Sequence, residues 1–184
     1  PAGLRDRVLL VLGFALMGRR SELAALTLDD VTETDNGLLG LIRMSKTDQD
    51  AKGRVVAVPR GQPAATAPVR QVAAWRALLA AHGATAGPLL RRVDQWGYVH
   101  DTGMSGAAVN EAVRRLAVRA KLPDAGRYTA HSLRAGGATS AYKAGNPVST
   151  IAEHGRWSPN SPVVLSYIRA VDQWADNAMT GVGL

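Results

Sequence analysis

The sequence His131-Ser132-Leu133-Arg134 places a histidine and an arginine three residues apart, and Tyr167 follows 33 residues after Arg134. A helix is predicted over residues 132–144, and a shared helical turn would put His131 and Arg134 on one face. Histidine exchanges protons near neutral pH, and arginine offers a planar fork that matches two phosphate oxygens. A tyrosine can act as a nucleophile. Together these side chains suit metal-free cleavage of a phosphodiester, although each alone is more often a packing or surface residue.

Two further cations lie upstream. Arg19 opens Arg19-Arg20-Ser21-Glu22-Leu23, the start of a predicted short helix, where a positive charge opposes the helix dipole. Lys46 lies in Ser45-Lys46-Thr47-Asp48, within a predicted turn from which a long side chain could reach into a groove. Taken singly, each is more often an ordinary surface cation.

The remaining pattern predicts an α+β fold that is mostly helical, with one small sheet. Apolar runs of strand length at residues 38–44 and 54–59 flank the polar, glycine-containing segment 45–53, which is typical of a β-hairpin. Residues 83–103 are expected to be irregular, apart from an ordered piece at 89–93. A short helix is predicted to begin at residue 19, and Ser105 is the predicted cap of a helix that runs to about residue 120. The other predicted helices cover residues 4–17, 68–82, 132–144, 147–154, 162–171 and 172–179.

Composition restricts the partner and the compartment. The 184 residues carry 22 Lys and Arg against 15 Asp and Glu, a net charge of +7, which favours nucleic acid first and a membrane surface second. No apolar run approaches the roughly 20 residues that span a bilayer. Without cysteine, and with four histidines at no zinc-ligand spacing, neither a disulfide framework nor a metal site is expected. The expected compartment is the cytoplasm.

Five segments, taken in chain order, resemble the catalytic domain of tyrosine recombinases, the phage integrase family. They are Arg19-Arg20-Ser21-Glu22-Leu23, Ser45-Lys46-Thr47, His131-Ser132-Leu133-Arg134, Gly155-Arg156-Trp157-Ser158 and Ser166-Tyr167-Ile168-Arg169. The likeness extends from residue 4 to about residue 171, and five ordered matches are far more specific than any one of them. The resemblance implies the DNA breaking-rejoining fold of that family, with a small antiparallel β-sheet.

The resemblance also implies which residues act on the phosphate. Tyr167 would be the nucleophile and would form a 3′-phosphotyrosyl link. Arg19 and Arg134 would hold the non-bridging oxygens with charge-assisted hydrogen bonds, and Glu22 would be the structural companion of Arg19. His131 would add a hydrogen bond to the same phosphate or accept the phenolic proton.

Two further roles are implied at Lys46 and Trp157. Lys46 would deliver a proton to the leaving 5′ oxygen, and Trp157 would donate its indole N–H while packing the pocket wall. Trp157 and Tyr167 are ten residues apart, one more than the family spacing, which indicates a one-residue insertion around residues 159–162.

The implied partner is double-stranded DNA, with self-assembly into a tetramer and no cofactor. Because the phosphotyrosyl link retains the bond energy, neither ATP nor a metal is demanded, and two successive exchanges would recombine two duplexes through a four-way junction. Most DNA contacts would go to phosphates. The cations expected on this surface are Arg43, Lys52, Arg91, Arg92, Arg114, Arg119, Lys121 and Arg156.

Residues 1–184 are expected to form a single catalytic domain. The abrupt start in a strong helix suggests a cut in a longer protein, and the N-terminal core-binding domain of the family is expected to lie outside this chain. Residues 171–184 would form a tail that either packs on its own domain or is exchanged with a neighbouring protomer.

Other functions fit parts of this pattern. A type IB topoisomerase-like nicking-closing enzyme would use the same chemistry. A non-catalytic DNA-binding module would keep only the basic surface, although every expected catalytic position is occupied. An RNA-binding or scaffold helical domain would explain the charge and leave the five ordered motifs to chance.

Overall fold

The computed structural model describes residues 1–43, 53–158, 161–168, 179 and 182. These residues confirm an α+β fold that is mostly helical. Its α-helices are α1 (Ala2–Ala15), α2 (Arg20–Ala25), α3 (Pro68–Ala81), α4 (Gly106–Arg119), α5 (Ala130–Lys143), α6 (Val148–His154) and α7 (Pro162–Ile168). Its strands are β1 (Val31–Thr34), β2 (Gly37–Ile42), β3 (Arg54–Pro59), β4 (Arg91–Val93) and β5 (Val99–Gly103), and Ala125–Arg127 is a short 3₁₀ helix.

The predicted β-hairpin is the pair β2 and β3. The strands are antiparallel, with Gly37 opposite Pro59 and Ile42 opposite Arg54. Most of the segment expected to be its turn, including Lys46, lies outside the described residues. Strand β1 adds to the other edge of β2, in the order β1-β2-β3. The sequence pattern does not predict β1, because it is short and buries only Val31 fully.

A second hairpin corrects the expectation that residues 83–103 are irregular. Strands β4 and β5 pair antiparallel around a bulge. Asp94 fixes the turn, because its Oδ1 accepts hydrogen bonds from the backbone N–H groups of Trp96 (3.0 Å) and Tyr98 (2.9 Å). Both aromatic side chains are nevertheless exposed. The strands are short and carry charged residues, so they lack the alternation by which a strand is predicted.

Most of the helices pack into one large cluster, here called the main core. Helix α1 runs through it and buries Leu9 and Leu12, and Leu16, directly after the helix, is buried there too. Trp75 of α3 is fully buried, and its indole N–H donates to the Leu89 carbonyl at 2.7 Å. The main core therefore joins α1, α3, α4 and the three-stranded sheet around α1.

A smaller cluster, here called the second core, lies under α5, α6 and α7. Its buried members are Met17, Ala138, Ile151, Ala152, Val164 and Ile168, and Trp157 and Tyr167 pack against it. Helices α1 and α5 approach closely beside it: a Cβ on Gly137 would lie 2.5 Å from the Phe14 carbonyl oxygen. Only glycine fits that crossing, so Gly137 sets how near the second core lies to α1.

Among the described residues, none of the helices has both the length and the apolar character that a bilayer crossing requires. The helix predicted over residues 172–179 lies almost wholly outside the described part of the chain.

Candidate active site

The candidate site forms where the chain turns between α1 and α2. Met17 occupies the left-handed region with φ of +47°, which is uncommon for a residue with a side chain. The Met17 carbonyl of this turn accepts a hydrogen bond from Arg134 of α5, and Arg19 is the residue that directly precedes α2. The termini of α5 and α6 meet the same turn.

Arg19 is held by Glu22, one turn into α2. The Glu22 carboxylate accepts from Arg19 Nη1 at 2.5 Å through Oε1 and from the Arg19 backbone N–H at 2.8 Å through Oε2. The Glu22 side chain is buried, whereas 26% of the Arg19 side chain remains exposed. Burial alone would raise the pKa of Glu22, but the charge of Arg156 and the hydrogen bonds from Arg19 and Arg156 lower it below its ordinary value. Glu22 is therefore a carboxylate at neutral pH.

Arg134 is buried on α5 and faces the same turn. Its Nη1 donates to the Met17 carbonyl, and its Nη2 donates to the Gly155 carbonyl at 2.6 Å. The guanidinium carbon lies 3.8 Å from the centre of the Trp157 ring, a cation–π contact. Burial, and then repulsion from Arg19 and Arg156, lower the pKa of Arg134 to about 10. Arg134 still carries its charge at neutral pH.

Tyr167 meets His131 across the cleft. Its hydroxyl lies 2.9 Å from His131 Nε2, within hydrogen-bond distance. Burial raises the pKa of Tyr167, and the nearby charge of Arg134 opposes that rise. The Trp157 ring centre lies 5.9 Å from that of Tyr167, so the indole lines one side of the phenol. The extra residue between Trp157 and Tyr167 in the sequence does not move Trp157 away from the cleft.

Hydrogen bonds between elements fix the two helices that carry this pair. Thr139 of α5 donates to the Tyr167 carbonyl at 3.2 Å and so ties α7 to α5. Asn110 of α4 accepts from the Ala130 backbone N–H at 3.1 Å, at the start of α5. Because His131 is the next residue, this bond contributes to its position.

Five of the six predicted site residues line one open cleft of about 530 Å³: Arg19, His131, Arg134, Trp157 and Tyr167. The sixth, Lys46, lies outside the described residues. The cleft is also lined by Arg20, Asn110 and Thr129, which were not predicted as site residues. Arg20 could have been suspected from its position beside Arg19, whereas nothing in the sequence distinguishes Asn110 or Thr129. In the described part of the chain, no three His, Cys, Asp or Glu side chains cluster as metal ligands would.

Two arginines expected on the DNA-binding surface are buried instead. Arg91 donates to the Ala86 carbonyl at 2.6 Å and pairs with Asp101 at 2.5 Å. Arg156 pairs with Glu22. Both predictions are wrong because charge alone favours the surface, while tertiary structure gives these guanidinium groups acceptors: the paired strand β5 and the Ala86 carbonyl for Arg91, and Glu22 for Arg156.

The other predicted surface cations differ in whether they form ion pairs. Arg92, Arg119 and Lys121 are exposed. Arg43 pairs with Asp30 at 2.5 Å, and Arg114 pairs with Glu111 at 2.7 Å. Lys52 lies outside the described residues.

Comparison with known proteins gives the family. The sequence profile described as "Phage integrase family" matches residues 1–173. The chain belongs to the phage integrase family. An integrase/recombinase xerD homolog of Selenomonas ruminantium is 33% identical over 178 residues, which are 97% of this chain and 51% of that protein. The chain thus spans about half the length of this relative.

Solved structures agree on the fold. The XerA recombinase superposes with a TM-score of 0.73 at 18% identity, over 98% of this chain and 57% of that one. The XerH site-specific recombinase, bound to its difH substrate in a pre-cleavage complex, gives 0.62 at 21% identity, over 95% and 47%. The predicted tyrosine-recombinase fold is confirmed, and in this phage integrase domain it assembles the cleft just described.

Proposed function

We propose that this chain is the catalytic domain of a site-specific DNA recombinase or integrase, which cleaves and rejoins DNA through a 3′-phosphotyrosyl intermediate. The observation that carries the proposal is the contact of Tyr167 with His131, 2.9 Å apart, in a cleft that also holds Arg19 and Arg134. A nucleophile, a proton acceptor and two cations are what metal-free phosphoryl transfer requires.

In this proposal the two arginines hold the scissile phosphate. A guanidinium has five N–H donors, and the bonds of Arg134 to the Met17 and Gly155 carbonyls leave others for a ligand. Arg19 likewise keeps donors beyond its bonds to Glu22. Negative charge grows on the non-bridging oxygens during attack, so fixed cations stabilise the transition state more than the bound substrate.

Tyr167 is the proposed nucleophile. Its raised pKa means that the phenol is protonated at neutral pH and must lose its proton during attack. His131 Nε2 accepts this proton while the phenolic oxygen forms a bond to phosphorus and the bond to the 5′ oxygen breaks. The departing 5′ oxygen takes up a proton, for which Lys46 remains the proposed donor. Attack by a 5′ hydroxyl on the phosphotyrosyl link reverses these steps and rejoins a strand.

The proposed substrate is duplex DNA. The net charge of +7 supports a polyanionic partner. The structurally similar XerH recombinase was solved bound to its difH substrate. The cleft contains Tyr167 of the same chain, which supports attack in cis. The expected compartment is the cytoplasm.

Assembly on DNA is proposed as a tetramer, with residues 171–184 exchanged between protomers and a separate N-terminal domain outside this sequence. An apolar groove of about 890 Å³ between α1, β3, α5 and α6 could accept such a tail from a neighbour, and Phe14 is 40% exposed beside it. The matching stripe in the sequence of the tail is Trp174, Ala175, Ala178 and Met179.

The test uses a nicked DNA substrate that traps the covalent intermediate. The full-length protein should give an adduct that survives denaturation, and Tyr167→Phe should abolish it without weakening DNA binding. Tyr98→Phe is the matched control, because Tyr98 is 65% exposed on the β4–β5 turn and should retain the adduct. DNA binding without any adduct from the unmodified protein would instead indicate a non-catalytic DNA-binding module.

A further inference from the structure

Arg156 has the geometry of a residue that organises the cleft without entering it. It lies between Gly155 and Trp157, in the left-handed region with φ of +60°, and only 3% of the residue is exposed. A left-handed conformation costs free energy for a residue with a side chain, so the surrounding contacts must hold it there. Arg156 is not among the residues that line the cleft.

The Arg156 guanidinium joins three segments of the chain. Its Nη1 donates to the Leu16 carbonyl at 3.0 Å and to the His154 carbonyl at 3.1 Å. Its Nη2 donates to Glu22 Oε2 at 2.8 Å and makes a longer bond to the Met17 carbonyl at 3.4 Å. One side chain thus ties the end of α1 and the start of α2 to the segment that carries Trp157.

Through Glu22, Arg156 acts on Arg19. Glu22 Oε2 accepts from Arg156 and from the Arg19 backbone, while Oε1 accepts from Arg19 Nη1. Burial raises the pKa of this carboxyl, and the charge of Arg156 is the largest influence that lowers it again. Without Arg156, Glu22 would tend to take up a proton and would hold Arg19 less firmly.

Through two carbonyls, Arg156 also acts on Arg134. The Met17 carbonyl accepts from both arginines, and the Gly155 carbonyl that accepts from Arg134 belongs to the residue before Arg156. The position of Arg156 therefore fixes both acceptors that aim the Arg134 guanidinium.

We propose that Arg156 is a positioning residue that sets the placement of both phosphate-holding arginines, Arg19 through Glu22 and Arg134 through the carbonyls of Met17 and Gly155, and that it does not contact DNA. The proposal rests on the proposed function for its kinetic readout. Supporting contacts of this kind matter because a displacement of about 1 Å can cost about 100-fold in rate.

The first test compares Arg156→Met, Arg156→Lys and Arg7→Met on the nicked substrate. Arg7 is an exposed arginine on α1 and gives the same chemical change away from the cleft. At saturating DNA, Arg156→Met should cleave about 100-fold more slowly than the unmodified protein. Arg156→Lys should cleave about tenfold faster than Arg156→Met, and Arg7→Met should match the unmodified protein. Circular dichroism checks that each variant is folded at the assay temperature.

The second test separates positioning from a phosphate contact. Loss of one phosphate contact lowers the slope of log K against log salt concentration by about 0.9, whereas a positioning residue leaves it unchanged. We expect the slope of Arg156→Met to equal that of the unmodified protein. A slope reduced by about 0.9, with normal cleavage at saturating DNA, would overturn the proposal in favour of a DNA contact.

The third test separates positioning from a general loss of structure. Arg156→Met removes the charge that lowers the pKa of Glu22, so cleavage should fall further on acidification than it does in the unmodified protein, and the double variant Glu22→Gln/Arg156→Met should lack this additional fall. A rate lowered equally at every pH in both variants would indicate a purely structural role and overturn the proposal.

A measurement that does not depend on catalysis distinguishes failure of the positioning proposal from failure of the proposed function. The side-chain N–H signals of Arg19 and Arg134 in NMR spectra should shift in Arg156→Lys and not in Arg7→Met. If the unmodified protein forms no adduct, the proposed function fails while these shifts still decide the positioning. Unchanged signals in Arg156→Lys would contradict it.

Discussion

The main core and the second core support the same cleft from two sides, but they differ in size and in what they carry. Among the described residues, 24 buried hydrophobic residues form the main core and 6 form the second core. Arg19 is attached to the main core, because Leu23 of its helix is buried there. Tyr167 and Trp157 pack on the second core. Global stability should therefore depend chiefly on the main core, and the placement of Tyr167 on the second core.

Several of the contacts that join the two regions lie close to the cleft. Gly137 permits α5 to approach α1, and His154 Nε2 lies 2.7 Å from the Ala15 carbonyl. The buried pair of Glu22 and Arg156 spans the same boundary. A change in any of these contacts can alter the distance between Tyr167 and Arg19 while each core remains packed.

The largest effect on stability is expected in the main core. Trp75→Ala removes a fully buried indole and its hydrogen bond to Leu89, and should lower the free energy of unfolding by about 3–5 kcal/mol. Trp96→Ala is the matched control, because Trp96 is 82% exposed, and should change it by less than about 0.5 kcal/mol. Urea unfolding measures both. Equal losses in the two variants would refute the assignment of stability to the main core.

The next effect concerns the boundary between the cores. Glu22→Gln leaves Arg156 buried without its counterion and should cost about 3 kcal/mol near neutral pH. Since the pKa of Glu22 is lowered on folding, its contribution is present above the ordinary value of 4.5 and is lost as the pH falls through the folded value. The stability difference between the two proteins should therefore shrink in acid.

Urea unfolding at neutral pH and in acid checks this dependence. Glu111→Gln is the control, since Glu111 makes an exposed pair with Arg114 on α4 and should change stability by less than about 0.5 kcal/mol. A difference for Glu22→Gln that stays constant with pH would exclude this linkage.

The sequence predicts local features of this molecule better than its remote ones. Helices α3 and α4 follow the predicted bounds closely because proline at the start of α3 and Ser105, which accepts from the Ala108 N–H at 3.1 Å, are local signals. The β4–β5 hairpin is missed because pairing, and not the pattern of its own residues, makes those strands.

The same contrast applies to the site. Five residues that line the candidate cleft could be predicted because the order of the motifs identifies the family. The burial of Arg156 could not, since its carboxylate partner lies 134 positions away and its conformation depends on contacts with α1. Composition counts this arginine with the surface cations, and only the tertiary structure distinguishes it.

A smaller effect on stability is expected in the second core, with a larger one on catalysis. Val164→Ala removes two buried carbon atoms below α7 and should cost about 2 kcal/mol. Because Tyr167 lies on the same short helix, cleavage of the nicked substrate should fall by about tenfold or more. Val118→Ala, 57% exposed on α4, is the control for both measurements. Normal cleavage with the full loss of stability would mean that the second core does not place the proposed nucleophile, Tyr167.

The smallest effect tests the hydrogen bond from Thr139 of α5 to the backbone carbonyl of Tyr167. Thr139→Val keeps the shape of the side chain but removes its bonds to the carbonyls of Ala135 and Tyr167, and should cost about 1 kcal/mol. Thr32→Val, on the exposed face of β1, is the control and should be neutral. If the bond to Tyr167 orients α7, cleavage should slow by a few-fold while the urea unfolding transition moves only slightly. This combination would show that the second core places Tyr167 through α5, independently of the stability that the main core supplies.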